Sequence, residues 1–153
     1  MTQGMKVPAL AGAILILCAL PAFAELTEGI NKAARGALDF MKVDYSTFEI
    51  TACWANINPK GHSHGFHTHP NNFLSGVYYV RAPENCGDIE FHDPRAQAIV
   101  LIPKVNERNP FNAWKQSITP KEGQLLVFHS WFQHLVQENR SDEERISRSE
   151  EHT

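Results

Sequence analysis

The chain has 153 residues, 42% of them hydrophobic and 20% charged, and a formal net charge of −3. That length builds one domain and leaves little for a second. The charge balance excludes a general basic field for nucleic acid, and the sequence holds no Gly-rich phosphate loop, internal repeat or low-complexity tract.

Residues 1–24 read as a secretory signal peptide. Lys6 supplies the positive start, Val7 to Leu20 the apolar run, and Pro21-Ala22-Phe23-Ala24 a small-x-small cleavage site before Glu25. The run is short for a membrane span, which needs about 20 apolar residues. Residues 25–153 would then be the mature, exported domain, periplasmic or secreted, with no stable membrane span. If the segment is a buried N-terminal helix instead, the protein is cytoplasmic. Leu26 to Met41 has helical periodicity, with Leu26, Ile30, Ala34, Leu38 and Met41 on one stripe. This helix is expected to pack outside a sheet.

From Phe48 the period changes to two. Phe48, Ile50, Ala52, Trp54 and Ile57 predict a strand. Pro59-Lys60-Gly61 turns into a loop that holds four of the eight histidines, at 62, 64, 67 and 69. His62 and His64 fit a solvated polar loop. Leu74 to Val80 reads as a buried strand. Further short strands follow at Asp88–His92, in the apolar run Ala98–Ile102, at Trp114–Ile118, at Gln124–Phe128 and at Leu135-Val136, each set off by turn residues. Arg145-Ile146-Ser147 begins a last strand, and Glu150 to Thr153 reads as a frayed polar tail. Many short strands with regular turns predict an all-β core, specifically a double-stranded β-helix or jelly roll of the cupin-like kind, with the helix outside. Cys53 and Cys86 lie in the mature chain and could pair in an oxidising compartment. No Cys-x-x-Cys occurs, which argues against a structural zinc site. Trp54, Phe128 and Trp131 read as core more readily than as a substrate platform. Asp93-Pro94-Arg95 reads as a turn, or else as a substrate contact.

His67 and His69 are two apart, so on an extended backbone both imidazoles face one side and can grip one metal ion. A mononuclear oxygenase site needs three protein ligands on one face, with positions left open. His134, just after an apolar strand, can swing back to complete the set. Arg145 heads the last strand, and a cation fixed deep in a roll suits a carboxylate held bidentately.

Several linked motifs carry a family resemblance. They are His67-Thr68-His69-Pro70-Asn71, Leu74 to Val80, Phe91-His92-Asp93-Pro94-Arg95, Gly123 to Phe128, Ser130-Trp131, His134 and Arg145-Ile146-Ser147. Over about residues 50–147 the chain resembles the 2-oxoglutarate/Fe(II)-dependent dioxygenases, in particular a bacterial and phage group of them. The resemblance implies Fe(II) as metal, 2-oxoglutarate as cosubstrate and O2 as oxidant. His67 and His134 match the two iron-binding histidines. His69 stands where the wider superfamily usually has Asp or Glu, so the site has three histidines unless Asp93 supplies a carboxylate. Arg145 matches the arginine that holds the distal carboxylate of 2-oxoglutarate, with Ser147 and Tyr79 beside it. The implied reaction splits 2-oxoglutarate into succinate and carbon dioxide while a C–H bond of the substrate is hydroxylated. No residue pattern names that substrate.

Three features depart from the family pattern. His69 is the first. His129 replaces a proline before Ser-Trp. After Arg145-Ile146-Ser147 come Arg148 and a charged tail, which predicts a shortened final strand. Two other readings therefore stand beside the oxygenase: a cupin-like three-histidine metal protein that uses no 2-oxoglutarate, and a truncated inactive relative acting as a binding module.

Overall fold

The structure, a computed structural model, describes residues 21–95, 100–101, 103–109 and 112–153. The proposed leader up to residue 20 and most of the apolar run 98–102 lie outside the described residues. The chain forms two units, one ending at Asp44 and one running from Tyr45 to Thr153.

The first unit contains helix α1 (Pro21–Phe40). It is longer at its N-terminus than the periodicity suggested. Its buried positions, Ile30, Ala34 and Leu38, recur every four residues, as one stripe of an amphipathic helix must. The helix ends where Lys42 takes a left-handed φ of 58°. There Val43 N–H donates to the Leu38 carbonyl and Lys42 N–H to that of Asp39, which satisfies the last orphan acceptors. Among the described residues no helix is long and apolar enough to cross a membrane.

The second unit is the all-β core that the strand pattern predicts. One sheet contains β1 (Ile50–Asn58), β3 (Leu74–Arg81), β6 (Leu125–His129) and β8 (Arg145–His152), in the order β1-β8-β3-β6. The other contains β2 (His64–His67), β4 (Ile89–His92), β5 (Lys115–Ile118) and β7 (His134–Val136), in the order β2-β7-β4-β5. Every pairing is antiparallel. The chain passes back and forth between the sheets, which makes a double-stranded β-helix. Val77 and Tyr79 from one sheet pack on Ile89 and Phe91 from the other, with Leu126, Phe128 and Phe132 around them. Phe128 is therefore core, as expected. Trp131 is not, being 54% exposed.

Strand β8 corrects the sequence reading most. The expected frayed tail at Glu150 to Thr153 is the second half of a central strand, which pairs with β1 on one side and β3 on the other through His152. A central strand of sequence RISRSEEH is unusual, because charges are rarely fully buried unless paired. Here most of them meet an opposite partner, Arg145 excepted. Arg148 lies 2.5 Å from Glu150, and Glu151 reaches His69 at 2.7 Å. His152 stacks on Phe48, their ring centroids 5.6 Å apart. Cys53, on β1, and Cys86, before β4, are both free thiols.

The turn before β4 fits against the segment after β7 with no room to spare. Gly87 has φ +87°, and a Cβ there would lie 2.4 Å from the Gln137 carbonyl oxygen. Both the backbone conformation and the space demand glycine. Gly87→Ala should lower stability by about 2–4 kcal/mol through strain and overpacking. Urea unfolding measures this, and a loss under about 0.5 kcal/mol, the range of an ordinary surface change, would contradict the packing described.

Candidate metal centre

His67 closes β2 and His134 opens β7, and the two are direct register partners across the antiparallel pair. Their ring centroids are 4.2 Å apart. His69 lies two residues beyond β2, in the loop before β3. Its N–H donates to the Ser130 carbonyl at 2.9 Å, and Ser130 is fully buried, hydroxyl to hydroxyl with Ser75 at 2.8 Å. Asn71 takes a φ of 66°, a conformation asparagine tolerates better than most residues, and this turns the chain from His69 into β3. The potential ligand atoms of His67, His69 and His134 all lie within 4.8 Å of one another. A metal bonded to three nitrogens needs them roughly 3–4 Å apart, so small ring movements complete the set.

The tautomers are determined by the partners. His67 Nδ1 lies 2.8 Å from the Gly65 carbonyl oxygen. His134 Nδ1 lies 2.8 Å from that of Phe132. His69 Nδ1 lies 2.7 Å from a Glu151 carboxylate oxygen. Carbonyls and carboxylates only accept, so each Nδ1 carries the hydrogen and each Nε2 keeps a free lone pair. Three neutral imidazoles offering Nε2, each anchored from behind, fit a divalent transition metal such as Fe(II). Burial pushes the His134 pKa down to about 4, which keeps its ring neutral and available. Burial also lowers His69, against the opposing pull of Glu151.

The same narrow cavity, about 60 Å³, runs between the sheets past Tyr79, Arg145 and Ser147. Arg145 and Ser147 alternate with Ile146 on β8, so both face inward. Arg145 is 2% exposed. Its Nη1 donates to the Cys86 carbonyl at 2.6 Å and approaches those of Gly87 and Gln137 at 3.4 Å. Among the described residues no carboxylate pairs with it, and burial lowers its pKa. Burial raises the Tyr79 pKa to about 12, so its hydroxyl remains a donor. Asp93 stands apart from the cluster. Arg95 holds its carboxylate through three side-chain contacts and one backbone N–H, which pulls its pKa down to about 2. Asp93 is thus occupied by Arg95 within its own segment, and His69, not Asp93, clusters with His67 and His134.

Two residues of the site escaped the sequence reading. His64 lines the cavity with its Nε2 3.0 Å from the Asn58 amide nitrogen. His64 pairs with Val136 and His67 with His134, so β2 has one residue more than β7 over that span. This bulge brings residues three apart to one face, which alternation forbids. Glu151 was taken for tail, and only the continuation of β8 carries it to His69.

A three-histidine cluster beside a buried cation, within a double-stranded β-helix, is an arrangement that could hold one metal ion with positions left open. A family model described as "Putative 2OG-Fe(II) oxygenase" matches residues 52–151, and the chain belongs to that family. No curated protein matches the sequence. Among solved structures, the chain is similar to an oxidoreductase of the 2OG-Fe(II) oxygenase family from Burkholderia pseudomallei. The TM-score is 0.60 at 19% identity, over 99% of this chain and 61% of that one. This chain thus spans less than two thirds of that relative's length. A Pseudomonas putida prolyl-4-hydroxylase aligns with a TM-score of 0.61 at 16% identity, over 87% of this chain and 67% of that one. A viral collagen prolyl hydroxylase from Paramecium bursaria Chlorella virus-1, solved with 2OG, gives 0.56 at 15%, over 87% and 75%. These likenesses confirm the fold.

Burial lowers the pKa of four histidines, His64, His69, His134 and His152. Each binds its proton more readily in the unfolded chain, so acid favours unfolding. Glu150, raised by burial, works in the opposite sense but is a single group. The metal-free protein should therefore lose stability as pH falls from 6.5, the ordinary histidine value, towards about 4. Urea midpoints across that range test this, and a midpoint that rises on acidification would contradict it.

Proposed function

We infer that the protein is an Fe(II)- and 2-oxoglutarate-dependent oxygenase that hydroxylates a C–H bond of its substrate. In the overall reaction 2-oxoglutarate, O2 and R–H become succinate, carbon dioxide and R–OH. His67, His69 and His134 would hold the iron, which supplies the O2 chemistry when bound. Arg145, with Ser147 and Tyr79, would hold the distal carboxylate of 2-oxoglutarate. We further propose that residues 1–24 are a leader and that the mature domain is exported.

One observation carries the reading: Arg145 is a buried cation with no carboxylate partner among the described residues, in the cavity that the three histidines also line. A buried charge is costly unless paired, so the position calls for an anion from outside. Arg145 and Glu151, which holds His69, are six residues apart on β8, roughly 20 Å at strand rise. Arg145 and the three histidines line the same cavity, so an anion held by the arginine would also face the histidine cluster. The unpaired arginine also separates this reading from a cupin-like protein without 2-oxoglutarate, which needs no such cation. Strand β8 continues through Arg148 to His152, so the shortened last strand that favoured an inactive relative does not occur.

Two measurements test these proposals. In the anaerobic Fe(II)-loaded protein, 2-oxoglutarate should produce a metal-to-ligand charge-transfer band. Arg145→Ala should weaken 2-oxoglutarate by about 100-fold or more while sparing Fe(II), and Arg145→Lys should weaken it less, keeping the charge but losing the fork. Equal 2-oxoglutarate affinity in Arg145→Ala would overturn the cosubstrate assignment. For the leader, N-terminal sequencing of the protein from its native host should begin at Glu25; an intact Met1 would contradict export.

A further inference from the structure

Three histidines are neutral ligands, so they leave the whole charge of a divalent cation uncompensated by the first ring of donors. A fixed negative charge stands close by: the Glu151 carboxylate lies 2.7 Å behind His69 on its Nδ1 side. Both groups are largely buried, with side chains 13% and 14% exposed. The carboxylate is itself held. Asn72 Nδ2 donates to Glu151 Oε2 and to the Pro70 carbonyl, the latter at 3.1 Å. The Asn72 amide cannot turn round, because its oxygen would then face the Pro70 carbonyl and the Glu151 carboxylate, which only accept; as placed, that oxygen lies 2.6 Å from the Thr51 hydroxyl and 3.2 Å from the Thr153 hydroxyl. The Glu151 backbone is paired on both sides, with Ala52 on β1 and Ser75 on β3.

We propose that Glu151 is the positioning residue of the metal centre: its carboxylate fixes His69 as the Nδ1–H tautomer, aims Nε2 into the site, and returns to the three-histidine set the negative charge that its ligands lack. The inference rests on the reading of the three histidines as metal ligands. A carboxylate hydrogen-bonded to a ligating imidazole raises the basicity of the far nitrogen and limits ring rotation. His67 and His134 need no such help, since backbone carbonyls of their own strand or its adjoining turn hold their Nδ1 atoms. His69 lies in a loop outside the ladder, and a side chain must do for it what local backbone does for the other two. The Thr51–Asn72–Glu151–His69 chain also ties the ligand to the tip of β8, so a charged C-terminus that looks dispensable is part of the site.

The experiment is a Co(II) titration of the full metal-free chain, followed by d–d absorbance, with Glu151→Gln, Glu151→Ala and His134→Ala in parallel. Both Glu151 variants should bind Co(II) about 10–100-fold more weakly while far-UV circular dichroism is unchanged. His134→Ala should lose the metal. A Co(II) affinity within about twofold of the unsubstituted chain in both Glu151 variants, even with a lowered melting temperature, would make Glu151 a purely structural residue and overturn the proposal. An unsubstituted chain that binds Co(II) no better than His134→Ala would instead overturn the metal centre itself. A measurement that needs no variant is the ¹⁵N shift pattern of the His69 ring in the metal-free protein. An Nδ1–H tautomer is expected, and an Nε2–H tautomer would overturn the proposal.

Discussion

The centre depends on one recurring interaction, the hydrogen bond that occupies Nδ1 of each histidine. Gly65 and Phe132 supply backbone carbonyls to His67 and His134, and Glu151 supplies a carboxylate to His69. An imidazole free at both nitrogens can flip, change tautomer or take up a proton. One whose Nδ1 faces an acceptor can do none of these cheaply, and its Nε2 lone pair is left aimed at the centre. The carbonyls lie two residues before their histidines, so strand geometry itself makes two of the three contacts. The third is long-range in sequence, and through it the charged end of the chain becomes necessary.

The rest of the fold serves that arrangement. The β2–β7 pairing sets His67 opposite His134. The buried Ser130–Ser75 contact and the Ser130 carbonyl hold the His69 backbone. Strand β8 contributes at both ends, Arg145 into the cavity and Glu151 behind His69. Its opposite face carries Arg148, Glu150 and His152, also buried. This polar strand sits in the middle of a sheet with both edges of its backbone paired, with Arg148 against Glu150 on one face, and with Glu151 against His69 and Arg145 against backbone carbonyls on the other. The lining of the cavity is correspondingly polar, with Asn56 donating to Ser149 at 3.0 Å and Asn58 beside His64.

Much of this was legible in the sequence. Alternation and turn residues located most of the strands and the all-β class, and the His-x-His pair with a distant His134 located the cluster. The inward face of Arg145 and Ser147 followed from the period of two. What escaped depended on pairing rather than on local pattern. The bulge in β2 exists only relative to β7, so His64 looked like a loop residue. Glu150 and Glu151 carry no strand propensity and became strand only through β1, β3, Arg148 and His69. Trp131, expected in the core, is largely exposed, because composition says that tryptophan favours burial and not which side of a turn it takes.

The central claim is that His67, His69 and His134 bind one metal through Nε2. Anomalous diffraction at the iron edge, from crystals loaded anaerobically with Fe(II), tests it most directly. The account predicts a single strong peak about 2.0–2.2 Å from the three Nε2 atoms, with Nδ1 of His69 still against Glu151. A peak bonded to Nδ1 of any of the three, or one held by Asp93 in place of His69, would contradict it.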